Sequence, residues 1–269
     1  ICYQPTVVAL DCGQMPLANG YATPDVRAPL VVRHCPGCAL YQLGHRVAAD
    51  YLFANYAYRT ATTRQNSVWS NLAGDVWRTF GTQTPAQANV VDIGGNDGSA
   101  LAAFYGSSTQ CVNVDPYAPE QVAPFIQLVR QPWNVVTAQH VVERFGHAHI
   151  ILASNVWAHM PDLHASATAA ATLLRPDGWL VVQAPWARDL FTYHAYDTLY
   201  HEHIYYLGVR AMRALFQRHQ MDVHRVEYVP DIHGGSLRYW IQHGNDHITD
   251  SVRRFEDIEH DSEDCRRQS

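Results

Sequence analysis

Apolar and polar positions alternate with a clear rhythm through the second half of the chain. "NVVDIGG" (89–95) is a nearly unbroken apolar run that stops at glycines, and it predicts a buried strand. "SALAAFYG" then predicts a helix, "QCVNVDP" a second strand, "APEQVAPFIQLV" a helix and "HIILASN" a third strand. A helix around "DLHASATAAATLL", the turn "RPDG" and a fourth strand "WLVVQAP" follow. Beyond them, "HEHIYYLGVRAMRALFQRHQ" is expected to be helical, and "DVHRVEYVP" and "GSLRYWIQHG" to be closing strands. Continuous apolar strands separated by helices imply an α/β fold, with a mostly parallel, doubly wound sheet covered on both faces.

The remainder reads differently. Residues 1–50 are rich in Pro, Gly and Cys with short apolar runs, as expected of a small, loop-dominated module. Residues 51–82 begin with an irregular tyrosine-rich stretch and then place Val68, Leu72 and Val76 near helical spacing, which predicts a connecting segment and helix. Residues 83–245 carry the strand–helix alternation, and 246–269 form a charged tail that starts as a helix. The 25 acidic residues outnumber the 19 basic ones, all of them arginine, giving a net charge of −6. Such a chain has no general attraction for polyanions, so nucleic acid is not an expected partner. No run reaches the roughly 20 apolar residues of a membrane span, and the expectation is a soluble, cytoplasmic protein.

Three groups of residues carry candidate chemistry. "HCPGC" places Cys35 and Cys38 at a metal-ligand spacing, with Cys2 and Cys12 the nearest further thiols and His34 or His45 possible substitutes. An unliganded or redox pair is the alternative, and Cys111 reads as a core residue. The second group is the glycine loop "VVDIGGNDGSAL". Gly94 and Gly95 allow a ligand to approach the backbone beside Asn96, while Asp92 and Asp97 would repel a pyrophosphate. That pairing suits a cationic ligand such as S-adenosylmethionine. Asp115, about 20 residues on at the end of the second strand, could accept both ribose hydroxyls, and Asn155, Trp157 and His159 end the third strand. The third group is "YHEH", Tyr200 to His203. It could be a proton-transfer cluster, a metal site using His201 and His203, or a polar cap.

Several separated segments together resemble one family. "DCGQMPLANGY", "CPGCALYQL", "YAYRTATT", "VVDIGGNDGSAL", "NVWAHMPDLH", "LLRPDGWLVVQAP", "YHEHIYYL" and "HGGSLRYW" are similar, in order, to the zinc-containing, S-adenosylmethionine-dependent sugar C-methyltransferases. The resemblance covers about residues 2–242. It implies a Rossmann-like class I methyltransferase domain with an N-terminal zinc-binding module held by Cys2, Cys35, Cys38 and Cys12, or a thiol preceding Ile1 in place of Cys12. It implies a keto-deoxysugar nucleotide as substrate. His203 would be the base, Tyr200 a hydrogen-bond donor to substrate or enolate, and Glu202 an orienting group. His159 and one of Tyr56 or Tyr58 would wall the cavity, and Arg238 could reach a substrate anion. The glycine loop would serve an O- or N-methyltransferase on another small molecule equally, and, since the family's further C-terminal domain is expected to be absent, a truncated non-catalytic module is the remaining alternative.

Overall fold

The computed structural model describes residues 1–18, 26–53, 72, 74–76, 88–104, 109–244 and 248–268. They fall into two compact units: the first comprises residues 1–56, 157–164 and 183–269, the second 57–156 and 165–182. Within the first unit, residues 205–206 pair with residues 41–42 of the N-terminal segment.

In the second unit the parallel strands are β4 (Asn89–Ile93), β5 (Gln110–Val114), β6 (Ile126–Val129) and β7 (Ala148–Ser154), in the order β7-β4-β5-β6. Residues 174–182 of β8 (Leu174–Pro185) lie next to β7. The register runs from Asn89 opposite Gln110 to Ile93 opposite Val114, and Val90 faces Ile150. Val90, Val91, Ile93, Val112, Ile150, Ile151, Val181 and Val182 are all buried. Burial on both faces is why these strands read as unbroken apolar runs.

Two expectations about the second unit need correcting. The helix expected over "APEQVAPFIQLV" is absent: its last four residues form β6, paired in parallel with β5. Pro119 and Pro124 remove backbone donors that a helix there would need. The expected turn "RPDG" lies within the range of β8. A further helix covers Val135–Phe145. Its signals are local: Asn134 Oδ1 accepts from Thr137 N at 2.9 Å, Ala138 and Val141 share the buried face, and Gly146 ends the helix at φ 83°.

The first unit holds a four-stranded antiparallel sheet, β1 (Val7–Pro16), β2 (Arg27–His34), β3 (Tyr41–Leu43) and β9 (Tyr205–Tyr206). It also holds the antiparallel pair β10 (Met221–Val229) and β11 (Ser236–His243). Leu30, Val32, Tyr41, Leu43, Leu190, Leu199 and Tyr206 form one apolar cluster. The long helix expected from His201 is therefore cut short. Tyr205 and Tyr206 pair with Gln42 and Tyr41, Gly208 is extended, and the helix covers only Val209–Phe216. The tail is helical over Asp250–Gln268, and no helix among the described residues is long and apolar enough to cross a membrane.

One tail residue organises this unit. Glu259 is buried, and its carboxylate accepts from Trp186 Nε1 at 2.7 Å and from the backbone N–H groups of Val209 at 2.7 Å and Arg210 at 3.2 Å. It thus satisfies the first donors of the 209–216 helix, which has no side-chain cap of its own. Glu259→Ala should lower the unfolding free energy by about 2 kcal/mol, read from urea titration, whereas an exposed change such as Asp250→Ala should leave it nearly unchanged.

Candidate functional site

The glycine loop leaves β4 at Ile93. Gly94 turns left-handed at φ 66° and donates its N–H to Val114 O at 2.9 Å. A Cβ on Gly95 would lie 2.6 Å from Asn113 Oδ1 and 2.7 Å from Asp92 Oδ2, so only glycine allows the backbone to lie this close to those groups. Asn96, also left-handed at φ 50°, donates its backbone N–H to Asp115 Oδ2 at 2.8 Å and accepts from Asn113 Nδ2 at 3.0 Å. The other Asp115 oxygen accepts from Tyr117 N at 2.7 Å. Asp115 is thereby fixed by two backbone donors. Asp97 turns toward Ser99, accepting from its hydroxyl at 2.6 Å.

Three acids thus crowd one loop. Burial first, then the neighbouring Asp115 and Asp97 carboxylates, hold the Asp92 carboxyl well above the usual carboxylate range. A cation placed here would relieve that repulsion, and an anion would add to it. Asn155 closes β7 at φ 53°, and its buried Oδ1 has no hydrogen-bond partner among the described residues. An orphaned acceptor, a fixed ribose-type carboxylate and a backbone that tolerates no Cβ fit the adenosyl moiety and cationic sulfur of S-adenosylmethionine. Asp92, Gly94, Gly95, Asn96, Asp97, Asp115 and Asn155 all lie in the second unit.

The "YHEH" cluster lies in the first unit, in the turn before β9. His203 Nδ1 sits 2.8 Å from Thr198 O, and its Nε2 sits 2.7 Å from the Tyr200 hydroxyl. A carbonyl can only accept, so Nδ1 carries the proton, and Tyr200 donates to the lone pair on Nε2. Burial, followed by His159, outweighs the favourable Thr198 bond and holds the His203 pKa well below the ordinary histidine value. The imidazole is neutral at pH 7. His159 packs its ring 4.8 Å from that of His203 and donates Nδ1–H to Glu202 O at 2.8 Å. Glu202 itself is buried. A cavity of about 10 Å³ beside His203, lined also by Ala158, Tyr205 and Tyr206, has room for about one water-sized group.

The other members divide by role. His201 is buried and donates Nε2–H to Ala28 O at 3.2 Å, tying the turn to β2. The pair His201 and His203 belongs to no three-ligand group among the described residues, and none of the four side chains caps the following helix. Arg238 is corrected from substrate contact to internal strut. It is buried, and its guanidinium donates to Gln183 Oε1 at 3.2 Å and Glu227 Oε2 at 3.3 Å. Tyr56 and Tyr58 lie outside the described residues. Thr198 escaped the sequence reading because it acts through its backbone carbonyl, which no side-chain pattern marks.

The thiols of Cys2, Cys35 and Cys38 lie within 4.8 Å of one another, with Cys2 and Cys35 3.3 Å apart. Burial and then the neighbouring thiols push Cys38 up to about 12, so three thiolates this close require a cation to ionise together. This donor set fits a soft tetrahedral metal. Cys12 is not in the group: it projects from β1 and packs against the apolar cluster around Leu30 and Tyr206. His34 stacks on Tyr41 at 4.3 Å.

The profile of the methyltransferase domain family matches residues 65–226, more than half of the chain. The chain belongs to this family. It carries a Rossmann-like, S-adenosylmethionine-dependent methyltransferase domain, in keeping with its parallel sheet and acidic glycine loop. The C-methyltransferase NovU of Streptomyces niveus is 28% identical over 212 residues, covering 78% of this chain and 50% of NovU, so the chain spans about half the length of that relative. The solved structure of a protein from Galdieria sulphuraria described as a sarcosine dimethylglycine methyltransferase superposes with a TM-score of 0.50 at 12% identity. It covers 66% of this chain and 86% of its own, and the likeness is one of fold. Gly95→Ala should weaken S-adenosylhomocysteine binding by about tenfold or more (~1.4 kcal/mol), measured by calorimetry, with circular dichroism retained.

Proposed function

We propose that this chain is a C-methyltransferase acting on a keto-deoxysugar nucleotide, with His203 as the base. The observation that carries the reading is the neutral imidazole of His203, with Nδ1–H on Thr198 O at 2.8 Å and its lone pair held by Tyr200 at 2.7 Å. NovU, a C-methyltransferase, supports transfer to carbon, and the family resemblance supports the sugar nucleotide.

Carbon becomes nucleophilic when a C–H proton beside a carbonyl is removed and the charge delocalises onto oxygen as an enolate. When bound, S-adenosylmethionine supplies an electrophilic methyl group on a sulfonium. This chain's residues make the nucleophile. Tyr200 exchanges its partner from His203 Nε2 to the substrate carbonyl oxygen, which both unmasks the lone pair and supports the enolate. His203 Nε2 then takes the carbon-bound proton, and the imidazolium keeps its other proton on Thr198 O. His159 and Glu202 fix the turn, and Tyr56 or Tyr58 forms part of the substrate wall. The loop residues Asp92, Gly94, Gly95, Asn96, Asp97, Asp115 and Asn155 hold the cofactor.

Cys2, Cys35 and Cys38 are inferred to bind a structural zinc that staples the loop before β3, since a small, loop-rich segment has little core of its own. The protein is read as cytoplasmic, with a small-molecule substrate and neither nucleic acid nor membrane as partner.

With a nucleoside-diphosphate keto-deoxysugar and S-adenosylmethionine, NMR of the product should show a new methyl on carbon. His203→Ala should lower kcat by about 100-fold or more while S-adenosylhomocysteine still binds. Because the His203 pKa is depressed, the acid limb of kcat/KM should fall below pH 6.5. A methyl on oxygen or nitrogen would favour the O- or N-methyltransferase instead, and cofactor binding without any turnover a non-catalytic module.

A further inference from the structure

Cys2 is the least buried of the three clustered thiols, and it sits on a segment outside any strand, since β1 begins only at Val7. Side chains from elsewhere in the first unit set its position. His164 Nε2 lies 2.9 Å from Ile1 O, and His164 Nδ1 lies 2.9 Å from His219 Nε2. A carbonyl can only accept, so His164 Nε2 carries the proton, and Nδ1 takes a hydrogen bond from His219 Nε2–H. The Tyr3 ring lies over the same imidazole, with 12° between the planes and 5.5 Å between the centroids. On Tyr3, in turn, the Arg218 guanidinium stands 6.0 Å from the ring centroid.

One imidazole thus contacts the residue on each side of Cys2. Between those contacts the chain turns: Tyr3 is left-handed at φ 59°, which a residue with a Cβ adopts only at a cost. Further along, a Cβ on Gly37, between Cys35 and Cys38, would collide with the Gln4 amide. Arg33 of β2 donates Nε–H to Thr6 Oγ1 at 2.8 Å and from Nη2 to Thr6 O at 2.7 Å. Those contacts hold the segment after Cys2, whereas the His164 contacts span it. With the segment so placed, Cys2 Sγ lies 3.3 Å from Cys35 Sγ. All of these residues belong to the first unit.

We propose that His164, itself held by His219, is a positioning residue for the thiol site: it clamps the chain on both sides of Cys2 and so presents that thiolate to an ion bound by Cys35 and Cys38. A ligand on a segment with no strand pairing must be ordered before it can coordinate, and the lost backbone freedom is subtracted from the affinity. The clamp orders the segment in advance, which is the advantage of a preorganised site. His164 is outside the three-thiol group and acts through Ile1 and Tyr3 rather than as a ligand. Hydrogen-bonded partners of this kind, one step removed from the ion, tune metal affinity.

This inference rests on Cys2, Cys35 and Cys38 holding a metal, and its test separates the two. Zn2+ affinity is measured by competition with a chromophoric chelator, and Co2+ affinity through thiolate-to-metal charge-transfer absorption. His164→Ala should weaken both by about tenfold, with S-adenosylhomocysteine affinity unchanged. His164→Gln, which keeps an N–H for Ile1 O, should recover part of the loss. In the metal-free protein, His164→Ala should also speed alkylation of Cys2 by iodoacetamide severalfold relative to that of Cys35, as mapped by mass spectrometry. Unchanged metal affinity in His164→Ala, or a loss that Gln does not relieve, overturns the clamp. If the wild-type protein binds neither ion, the metal reading fails instead, and an unchanged Cys2 alkylation rate in His164→Ala then overturns the clamp as well.

Discussion

The hydrogen bond from His203 Nδ1 to the Thr198 carbonyl is the contact on which the proposed proton chemistry of the first unit depends. By fixing the proton on Nδ1, it leaves the lone pair on Nε2, where Tyr200 holds it. Reversing that tautomer would set the Nδ1 lone pair against the Thr198 carbonyl and place the proton on Nε2, leaving no lone pair there. Burial keeps the ring neutral, and the Thr198 carbonyl is ready to stabilise the imidazolium once it forms. In the proposed mechanism a weak base in a desolvated site is useful only if the carbon acid is made stronger at the same moment, the part Tyr200 would take by supporting the enolate oxygen.

That geometry depends on how the turn is tied. Ile204 donates its N–H to Ala158 O at 2.8 Å, Leu43 N donates to Ile204 O at 2.8 Å, and Tyr205 and Tyr206 extend the N-terminal sheet. His201 reaches Ala28 from the same turn. A segment distant in sequence from the N-terminus is thus locked into the sheet whose loop carries Cys35 and Cys38. A metal held there would be linked to the His203 turn through β3.

Much of this was legible in the sequence, for identifiable reasons. The parallel strands could be read because burial on both faces leaves unbroken apolar runs, and the glycine loop because Gly94 and Gly95 must accept close approach. Asp115 could be placed from its distance beyond that loop. The short helix at Val209–Phe216 and the strand Tyr205–Tyr206 could not, since a pairing with Tyr41 and Gln42 overrode a pattern that looked helical. Arg238 looked like a free cation because nothing local reveals Gln183 and Glu227 around it. Cys12 shared the composition of a ligand but not the position of one. Thr198 acts through its own carbonyl, and the Glu259 carboxylate is met by backbone donors and an indole distant in sequence, none of which a local side-chain pattern records.

The central claim is that His203 removes a proton from a carbon beside a carbonyl. It is tested most directly in D2O, with S-adenosylhomocysteine bound and a nucleoside-diphosphate keto-deoxysugar present, by following deuterium entry at that carbon by NMR. Wild-type protein should catalyse the exchange without any methyl transfer, and His203→Ala should not. Exchange that proceeds equally in His203→Ala, or methylation of carbon by a wild-type protein that catalyses no exchange, would contradict the account.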